Sequence, residues 1–290
     1  MLYIASMLPH AFDAFLGRLH VVDLVDGAIR EVLGDWGEIG MAAWLPDSKQ
    51  IVITGKPHGT QIGAKSDLWL TDRDGAVLVC RTAGLKVGVG GGLEPDMPVN
   101  TYSDRVLRSS DGQFALINVQ DGGTVGIYRV ALHGNEAFTP VVTGDRTCYP
   151  LDATDTYLLY SVSDFNLRPD LYLSNTEGKH EKRLSDLNHD LLAGLTLPAV
   201  ERLQFPGSDG TPVEGWLWTP RHTGIAPFPT ILLNHGGPHG AWGHISTFMH
   251  RSFAGPAMPC CKLTTAPRPA MVTLSQQRLK VIGEIWIIRT

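Results

Sequence analysis

The stretch that decides the fold is residues 230–240, which read TILLNHGGPHG. Its first half is a short apolar run typical of a buried strand, and the glycines that follow end that strand abruptly. Gly236 and Gly237 have no Cβ, so the backbone there can take positive φ values and bring its N–H groups close to a ligand atom. We therefore expect a strand that leads into a glycine-rich loop with accessible backbone donors.

Such a loop has a chemical use in α/β-hydrolases. Their oxyanion hole takes one N–H from the residue after the nucleophile and another from a glycine-bearing loop after an early strand. A hairpin precedes the loop here, because residues 201–205 alternate polar and apolar, residues 208–210 supply a turn and residues 213–218 return as a second strand. The hairpin predicts that a new domain begins near Leu197.

Two linked motifs resemble the start of the catalytic domain in the prolyl oligopeptidase family of serine peptidases. The first motif is residues 205–220, which read FPGSDGTPVEGWLWTP, and the second is the NHGGP of residues 234–238. The resemblance is strongest to the acylaminoacyl-peptidase and dipeptidyl-aminopeptidase-like branch, and it covers residues 201–248 in detail. It implies a serine peptidase whose propeller domain restricts entry to short peptides.

The resemblance implies catalytic roles of which this chain carries only one. The residues that match the family's oxyanion loop are His235, Gly236, Gly237 and Pro238. The amide of Gly237 is the candidate oxyanion donor. Catalysis also needs a serine on a sharp turn, a histidine base and a carboxylate, all of which follow the loop at some distance in the family. The sequence has no Gly-x-Ser-x-Gly motif, so we expect the triad to be missing and the chain as it stands to be inactive.

The end of the chain departs from the family pattern. Residues 254–290 contain four prolines and the adjacent pair Cys260 and Cys261, but no glycine-turn-strand pattern. When each codon's third base is read with the next codon's first two, residues 256–262 can encode Gly-Tyr-Ala-Val-Leu-Gln, a segment that the family carries next. We therefore expect a reading-frame shift near Gly255, in the gene or in its sequencing.

The residues before the hairpin repeat one unit four times. Each copy is a short alternating strand with a turn glycine seven residues after its first residue, in residues 20–27, 68–75, 127–134 and 171–178. The glycines are 48, 59 and 44 residues apart, close to the period of a four-stranded propeller blade with loop insertions. A turn and an apolar strand precede three copies, in residues 44–53, 108–117 and 151–160. A β-sandwich does not predict a repeat in register, so we favour a propeller.

The predicted fold is mainly β, with three consecutive parts. A partial β-propeller of about four blades covers residues 1–196, the first strands of an α/β-hydrolase domain cover residues 197–253, and an out-of-frame tail covers residues 254–290. The propeller of the family normally has about seven blades. We therefore expect the chain to be truncated at its amino-terminal end as well.

Composition and two loops narrow the function classes. The net charge of −5 and pI near 6.1 favour neither nucleic acid nor an anionic membrane surface as a partner. No apolar run is long enough to span a bilayer, and four cysteines match no zinc or disulfide framework, so we expect a cytoplasmic protein.

Residues 87–92 are glycine-rich but lack a P-loop lysine, which favours an inter-blade loop. In the polar loop of residues 164–170, Asp164 and Arg168 are expected to be a solvated pair rather than to face a substrate.

We expect neither a metal nor any other cofactor. His235, His239 and His244 lie close together in the sequence. The intervening glycines disfavour a helix that would align them on one face, and no carboxylate or cysteine accompanies them.

Three functions remain open on the sequence alone. The first is a serine peptidase that acts on short peptides in the manner of an acylaminoacyl-peptidase or aminopeptidase. The second is a non-catalytic propeller that binds a peptide or protein partner. The third is an esterase of the same hydrolase fold, since the glycine loop suits any acyl transfer. The attached propeller favours peptidase over esterase, and an intact downstream triad would favour either over a binding module.

Overall fold

The computed structural model consists almost entirely of β-strands. The residues that it describes are 1–5, 17–60, 64–95, 105–135, 137–166, 168–207, 210, 212–221, 231–234, 241–246 and 260–264. For residues 234 and 260–264 the description covers the backbone alone. Among the described residues, no helix is long and apolar enough to cross a bilayer.

The first two blades of a propeller account for the strands up to Cys80. Blade 1 consists of β1 (Leu2–Ala5), β2 (Arg18–Val22) and β3 (Ile29–Val32). Blade 2 consists of β4 (Gly37–Trp44), β5 (Gln50–Pro57), β6 (Asp67–Asp72) and β7 (Leu78–Cys80). Within each blade, every strand pairs antiparallel with the next strand along the chain.

Two further four-stranded blades follow. Blade 3 consists of β8 (Leu107–Arg108), β9 (Phe114–Asp121), β10 (Thr124–Ala131) and β11 (Phe138–Val142). Blade 4 consists of β12 (Thr147–Ala153), β13 (Tyr157–Ser163), β14 (Asp170–Asn175) and β15 (Lys182–Arg183). One parallel bridge, Val125 to Thr147, joins the two blades. The described chain therefore contains the four blades that the repeat predicted.

The repeated unit has the same place in every blade. Its strands are β2, β6, β10 and β14, each of which pairs with the outermost strand of its blade. The turn glycines that follow, Gly27, Gly75, Gly134 and Gly178, have φ values of 75°, 78°, 69° and 77°. Residues with a Cβ rarely adopt this left-handed conformation. The predicted register is confirmed, and the need for positive φ explains the glycine in each copy.

Blades pack face to face through alternate residues of their central strands. On β5, Ile51 and Ile53 belong to the apolar cluster with blade 1, whereas Val52 belongs to the cluster with blade 3. On β9, Ile117 faces blade 2 and Leu116 faces blade 4. Because successive side chains of a strand point to opposite faces, a strand buried on both faces reads as a continuous apolar run.

Blade 2 and blade 4 each contain the same set of hydrogen bonds, which we call the polar clamp. In each blade it joins the start of the last strand but one to the chain just after the last strand. The first residue of β6 is Asp67, and it accepts a hydrogen bond of 2.7 Å from the Thr82 hydroxyl. The first residue of β14 is Asp170, and it accepts one of 2.6 Å from the Ser185 hydroxyl. In both blades that hydroxyl oxygen also accepts from the N–H of the residue after the aspartate, at 2.9 Å. The hydroxyl residue lies 15 positions after the aspartate in each case.

This clamp predicts the effect of removing one hydroxyl. Thr82→Val should lower the free energy of unfolding by about 1–3 kcal/mol, because it leaves a buried N–H without an acceptor and leaves Asp67 with Lys65 but without the Thr82 hydroxyl as a donor. Thr82 is fully buried. Urea unfolding of the two chains measures the difference. The matched control is Thr60→Val, which removes an exposed hydroxyl and should change stability by less than about 0.5 kcal/mol. Equal losses in both variants would contradict the clamp.

A separate sheet follows the short helix α1 (His189–Ala193). Its strands are β16 (Ala199–Pro206), β17 (Pro212–Thr219), β18 (Ile231–Asn234) and β19 (Cys260–Thr264), in the spatial order β16-β17-β19-β18. The predicted hairpin is β16 with β17, the predicted strand before the glycine loop is β18, and the predicted boundary near Leu197 falls between α1 and β16. The division of the chain into three domains stays a prediction.

The strand β19 lies within the part that the sequence predicts to be out of frame, where no strand was predicted. It pairs antiparallel with β17 and parallel with β18. Parallel neighbours require a crossover connection rather than a hairpin. The sheet is therefore mixed, as expected where an antiparallel hairpin leads into the parallel strands of a hydrolase.

Candidate functional site

The oxyanion loop predicted by the sequence, His235, Gly236, Gly237 and Pro238, lies outside the described residues. The structure describes the chain on both sides of it. Before the loop, the backbone of β18 is paired with β19 as far as Asn234. After the loop, residues 241–246 form a segment that we call the strap. The candidate site is therefore built from the strap and the surfaces that contact it.

The strap lies across strand ends of blades 3 and 4. The N–H of His244 donates to the carbonyl oxygen of Gly123, in the turn between β9 and β10, at 2.7 Å. The Thr147 hydroxyl, at the start of β12, donates to the carbonyl oxygen of His244 at 2.7 Å. The N–H of Glu94 donates to the carbonyl oxygen of Ala241 at 2.9 Å. Hydrogen bonds to the propeller thus hold the strap at its start and in its middle.

Two glycines allow the strap to approach this closely. A Cβ on Gly243 would lie 2.1 Å from the carbonyl oxygen of Gly123. A Cβ on Gly123 would lie 2.3 Å from the indole ring of Trp216. Neither position has room for a side chain, so the backbone contact depends on glycine from both partners.

The hydrolase sheet contacts the propeller through one face of β17. Alternate residues of this strand, Glu214, Trp216 and Trp218, are all buried, as the period of a strand requires for a face that packs against another surface. Phe165 of the β13–β14 loop lies with its ring centroid 5.7 Å from that of Trp216 and 5.1 Å from that of Trp218. The ring of His244 lies 4.5 Å from Phe165. The junction is a compact aromatic cluster.

The predicted solvated pair of the polar loop, Asp164 and Arg168, is half-buried, and other residues in the range 164–170 are buried. Phe165 and Asp170 are 7% and 1% exposed. The polar residues around Phe165 concealed its role, because a single aromatic residue in a loop gives no periodic signal. The glycine-rich residues 87–92 do lie between blades 2 and 3, as predicted, with Val89 bridged to Val119 of β9.

A group of charged residues lies beside the aromatic cluster. Glu214 is 4% exposed, and its carboxylate forms an ion pair with Arg202 of β16. The same carboxylate accepts a hydrogen bond of 3.2 Å from the N–H of Gly123. Asp145 lies 3.8 Å from both Arg202 and His244. Burial lowers the pKa of His244, with Asp145 opposing and Arg202 adding to this effect. His244 is therefore neutral at pH 7.

Two other described side chains, Cys148 and His244, are not placed for nucleophilic catalysis or metal binding. Cys148, buried within the blades, has a pKa raised to about 12 by desolvation, so its thiol is a poor nucleophile. Of the three histidines considered as metal ligands, His235 and His239 lie outside the described residues and His244 packs between aromatic rings. No group of three metal-ligating side chains occurs in the described part of the chain.

The sequence gives no sign that the propeller residues Gly123 and Thr147 take part in this junction. Gly123 belongs to a Gly122–Gly123 pair in a hairpin, which is an ordinary turn signal. Thr147 begins a strand, as many threonines do. Nothing in their local sequence indicates that they contact residues more than 90 positions away.

The described fold is a β-propeller joined to the first strands of an α/β-hydrolase sheet. No family model matches the chain. It is 29% identical over 186 residues to a curated protein of Bacillus subtilis (strain 168) named "Uncharacterized peptidase YuxL", a match that covers 64% of this chain and 28% of that protein.

Solved structures with the same fold are peptidases and a hydrolase. The uncomplexed acylaminoacyl peptidase of Pyrococcus horikoshii aligns with a TM-score of 0.65 and 17% identity over 86% of this chain and 35% of that one. A puromycin hydrolase aligns with a TM-score of 0.51 and 12% identity over 86% of this chain and 45% of its own. These likenesses confirm the predicted fold class and agree with the resemblance to the prolyl oligopeptidase family. The chain spans less than half of each of these relatives.

Proposed function

We propose that this chain is part of a serine peptidase of the prolyl oligopeptidase family that hydrolyses short peptides. The observation that carries the proposal is the docking of the strap on the propeller. The strap begins four residues after Gly237, and it is hydrogen-bonded to Gly123 and Thr147 at the strand ends of blades 3 and 4. An acyl-transfer site close to the strap would face the propeller, which would then limit the size of the substrate.

The resemblance supports a peptide as the substrate. The curated relative is named a peptidase. An acylaminoacyl peptidase with the same fold has been solved in complex with Z-Gly-Gly-Phe-chloromethyl ketone, with a TM-score of 0.65 and 17% identity. Removal of acylated or free amino-terminal residues is the finer proposal for this chain.

In the proposed mechanism, a serine attacks the scissile carbonyl and a histidine takes its proton. The carbonyl oxygen becomes an oxyanion, to which the N–H of Gly237 donates a hydrogen bond. One such donor contributes on the order of 10²–10³-fold to kcat. The serine, histidine and acid are proposed to be encoded downstream in the restored reading frame.

We also propose that the frame is shifted near Gly255, so that residues 254–290 do not represent the natural sequence. The strand β19 is compatible with this proposal. In the shifted frame, residues 256–262 can encode an Ala-Val-Leu segment, which suits a buried strand as well as the residues of β19 do. The proposed domains therefore stay at residues 1–196, 197–253 and 254–290.

Sequencing the gene from the codon for Phe248 to well beyond that for Thr290, and expressing the product, tests the proposal. We expect one missing or extra base, a restored frame with Gly-x-Ser-x-Gly and a later histidine, and a protein that reacts covalently with a fluorophosphonate. It should hydrolyse acylaminoacyl and peptidyl p-nitroanilides. The chain as it stands should do neither. A gene that confirms the present frame and a product without a reactive serine would contradict the proposal.

The same assays separate the alternatives. Hydrolysis of p-nitrophenyl esters without hydrolysis of peptide amides would identify an esterase. A confirmed frame with no fluorophosphonate reaction would leave the propeller as a binding module. A cytoplasmic location stays part of the proposal.

A further inference from the structure

We infer that a cavity between blades 2 and 3 binds a small apolar molecule that carries a carboxylate, with Arg81 as the partner of that carboxylate. The cavity has a volume of about 290 Å³, close to the lower end of the range for small-molecule sites. The described residues that line it belong to the propeller alone. The inference therefore does not depend on the proposed acyl transfer.

The walls of this cavity are mainly apolar. Leu70 and Val79 lie opposite each other on the paired strands β6 and β7. Val77 precedes β7, and Leu132 follows β10 of blade 3. The two leucines are buried, whereas the two valines are exposed. An apolar ligand would remove the valine side chains from water, which is favourable in proportion to the area covered.

Arg81 supplies a positive charge at this cavity and is held in one orientation. It is 7% exposed, and its Nε donates to the carbonyl oxygen of Ala131 at 3.0 Å. Its Nη2 lies 3.2 Å from the carbonyl oxygens of His133, Gly134 and Asn135. These acceptors all belong to blade 3. Because the side chain is already ordered, a ligand that pairs with it loses little further conformational entropy.

The other terminal nitrogen of Arg81, Nη1, is the atom that faces the ligand. It forms no hydrogen bond to any described residue, and no described carboxylate pairs with Arg81. Nη1 is also not among the fully buried polar atoms of the described chain that lack a partner, so a ligand can reach it. A guanidinium keeps its charge in proteins and matches the geometry of a carboxylate. An anion at Nη1 would balance a charge that only backbone carbonyls now compensate.

Asp72 is the acidic residue that lines the same cavity, and it raises the alternative of a cationic ligand. Its Oδ1 accepts hydrogen bonds from the N–H groups of Ala76 at 2.7 Å and Val77 at 3.4 Å, which turns this oxygen towards the β6–β7 turn. Asp72 is only partly buried, whereas Arg81 is buried. Water and salt screen a buried charge less than an exposed one. The carboxylate is therefore the favoured charge of the ligand.

Three small molecules of similar shape test this assignment on the 290-residue chain. Isovalerate, isovaleramide and isopentylamine carry a negative charge, no charge and a positive charge next to the same branched apolar group. Isovalerate should bind with a dissociation constant of about 1 mM, and isovaleramide about tenfold more weakly, because it cannot form the charge-assisted pair. Titration by saturation-transfer NMR measures both. Absence of isovalerate binding, equal binding of the amide or tighter binding of the amine would overturn the inference.

Val79→Trp locates the site, because a larger side chain on the cavity wall should fill the space. Val79 is 42% exposed, so the indole can lie partly in water and the blade should stay folded. Isovalerate should bind at least about tenfold more weakly to this variant. The matched control is Val25→Trp in blade 1, where the valine is 96% exposed and binding should not change. Wild-type affinity in Val79→Trp would show that isovalerate binds elsewhere, and the inference would be wrong.

Arg81→Gln tests the partner of the carboxylate. Isovalerate should bind about tenfold more weakly, whereas the exposed Arg105→Gln should bind it as the wild type does. An unchanged affinity in a folded Arg81→Gln chain would contradict the assignment. Because Arg81 also bonds to carbonyl oxygens of blade 3, circular dichroism must show that the variant is folded. If it is not, Val79→Trp and the three small molecules decide the matter.

An apolar carboxylate can be a free acid or the carboxyl-terminal residue of a peptide. Acetyl-Gly-Leu with a free carboxyl end, compared with its amide, separates these two sources. Binding of the peptide acid at least as tight as that of isovalerate, with loss in the amide, supports a peptide end as the ligand. Binding of isovalerate without binding of the peptide acid supports a free acid. Equal binding of the peptide acid and its amide would overturn the role of the carboxylate.

Discussion

Replacing Gly243 with alanine is expected to release the strap from the propeller. The new Cβ would lie 2.1 Å from the carbonyl oxygen of Gly123 and 2.4 Å from its carbonyl carbon. These are backbone atoms of a strand turn, so the contact cannot be relieved by a change of rotamer. Overpacking of this kind costs about 3 kcal/mol, comparable to the hydrogen bonds that hold the strap.

Amide hydrogen exchange measures this release directly. The amides of His244 and Ile245 donate hydrogen bonds in the folded chain, and in Gly243→Ala we expect them to exchange about 100-fold faster, as a loss of about 3 kcal/mol of local stability implies. Limited proteolysis should show new cleavage in residues 241–246. The blades should keep their protection, since Gly243 contributes to none of their sheets.

The chain provides a matched control for this substitution. Gly194 ends α1 with a φ of −89°, and a Cβ there would meet nothing within 4 Å. Gly194→Ala should therefore leave exchange in the strap unchanged. Similar acceleration in the two variants would show that the faster exchange does not come from the contact with Gly123.

The second large effect is expected for Asp170→Ala in blade 4. The Asp170 side chain is 1% exposed, pairs with Arg183 and accepts hydrogen bonds from the Ser185 hydroxyl at 2.6 Å and the Leu187 N–H at 3.0 Å. Removal of the carboxylate leaves these donors without their acceptor. The free energy of unfolding should fall by about 3 kcal/mol, as is typical when one partner of a buried network is removed.

An exposed partner of the same arginine is the control. Asp186 also pairs with Arg183, but its side chain is 48% exposed. Asp186→Ala should therefore cost less than about 1 kcal/mol. Urea unfolding of the three chains gives the comparison. Equal losses from Asp170→Ala and Asp186→Ala would mean that burial of the carboxylate does not matter.

The Asp170 effect should also depend on pH. Burial raises the pKa of this carboxyl, but the hydrogen bonds from Ser185, Leu187 and Arg183 outweigh burial and lower it below the ordinary value of 3.8. A lowered pKa means that the folded state favours the charged form, so its contribution to stability is present above about pH 4. It is lost as pH falls through the folded pKa. The difference between wild type and Asp170→Ala should therefore be smaller at pH 3 than at pH 7.

Much of the fold was predictable because its signals are local. The alternation of polar and apolar residues in each repeated strand follows from the pleat of a β-strand. The glycine seven residues after the start of that strand follows from a single left-handed turn. Gly27 and Gly178 lie in different blades and have nearly the same φ, because the same turn follows the repeated strand in each blade. The hairpin of β16 and β17 and the strand β18 were predictable for the same reason.

What could not be predicted is which surfaces meet. The clamp of Asp170 with Ser185 looks like two unrelated polar residues until the strands β14 and β15 bring them together. The strand β19 carries no pattern that assigns it a place, and its position depends on β17 and β18 on either side.

The sequence by itself determined the blade repeat and the hydrolase hairpin, because each depends on residues close together in the chain. The glycine loop stays a prediction. Only the tertiary structure decided that Gly123 and Thr147 would hold the strap, since the latter contact joins residues 97 positions apart. Such contacts depend on the shapes and polar groups of two finished surfaces. A local sequence pattern encodes periodicity and turns, but it does not encode the surface against which a segment packs.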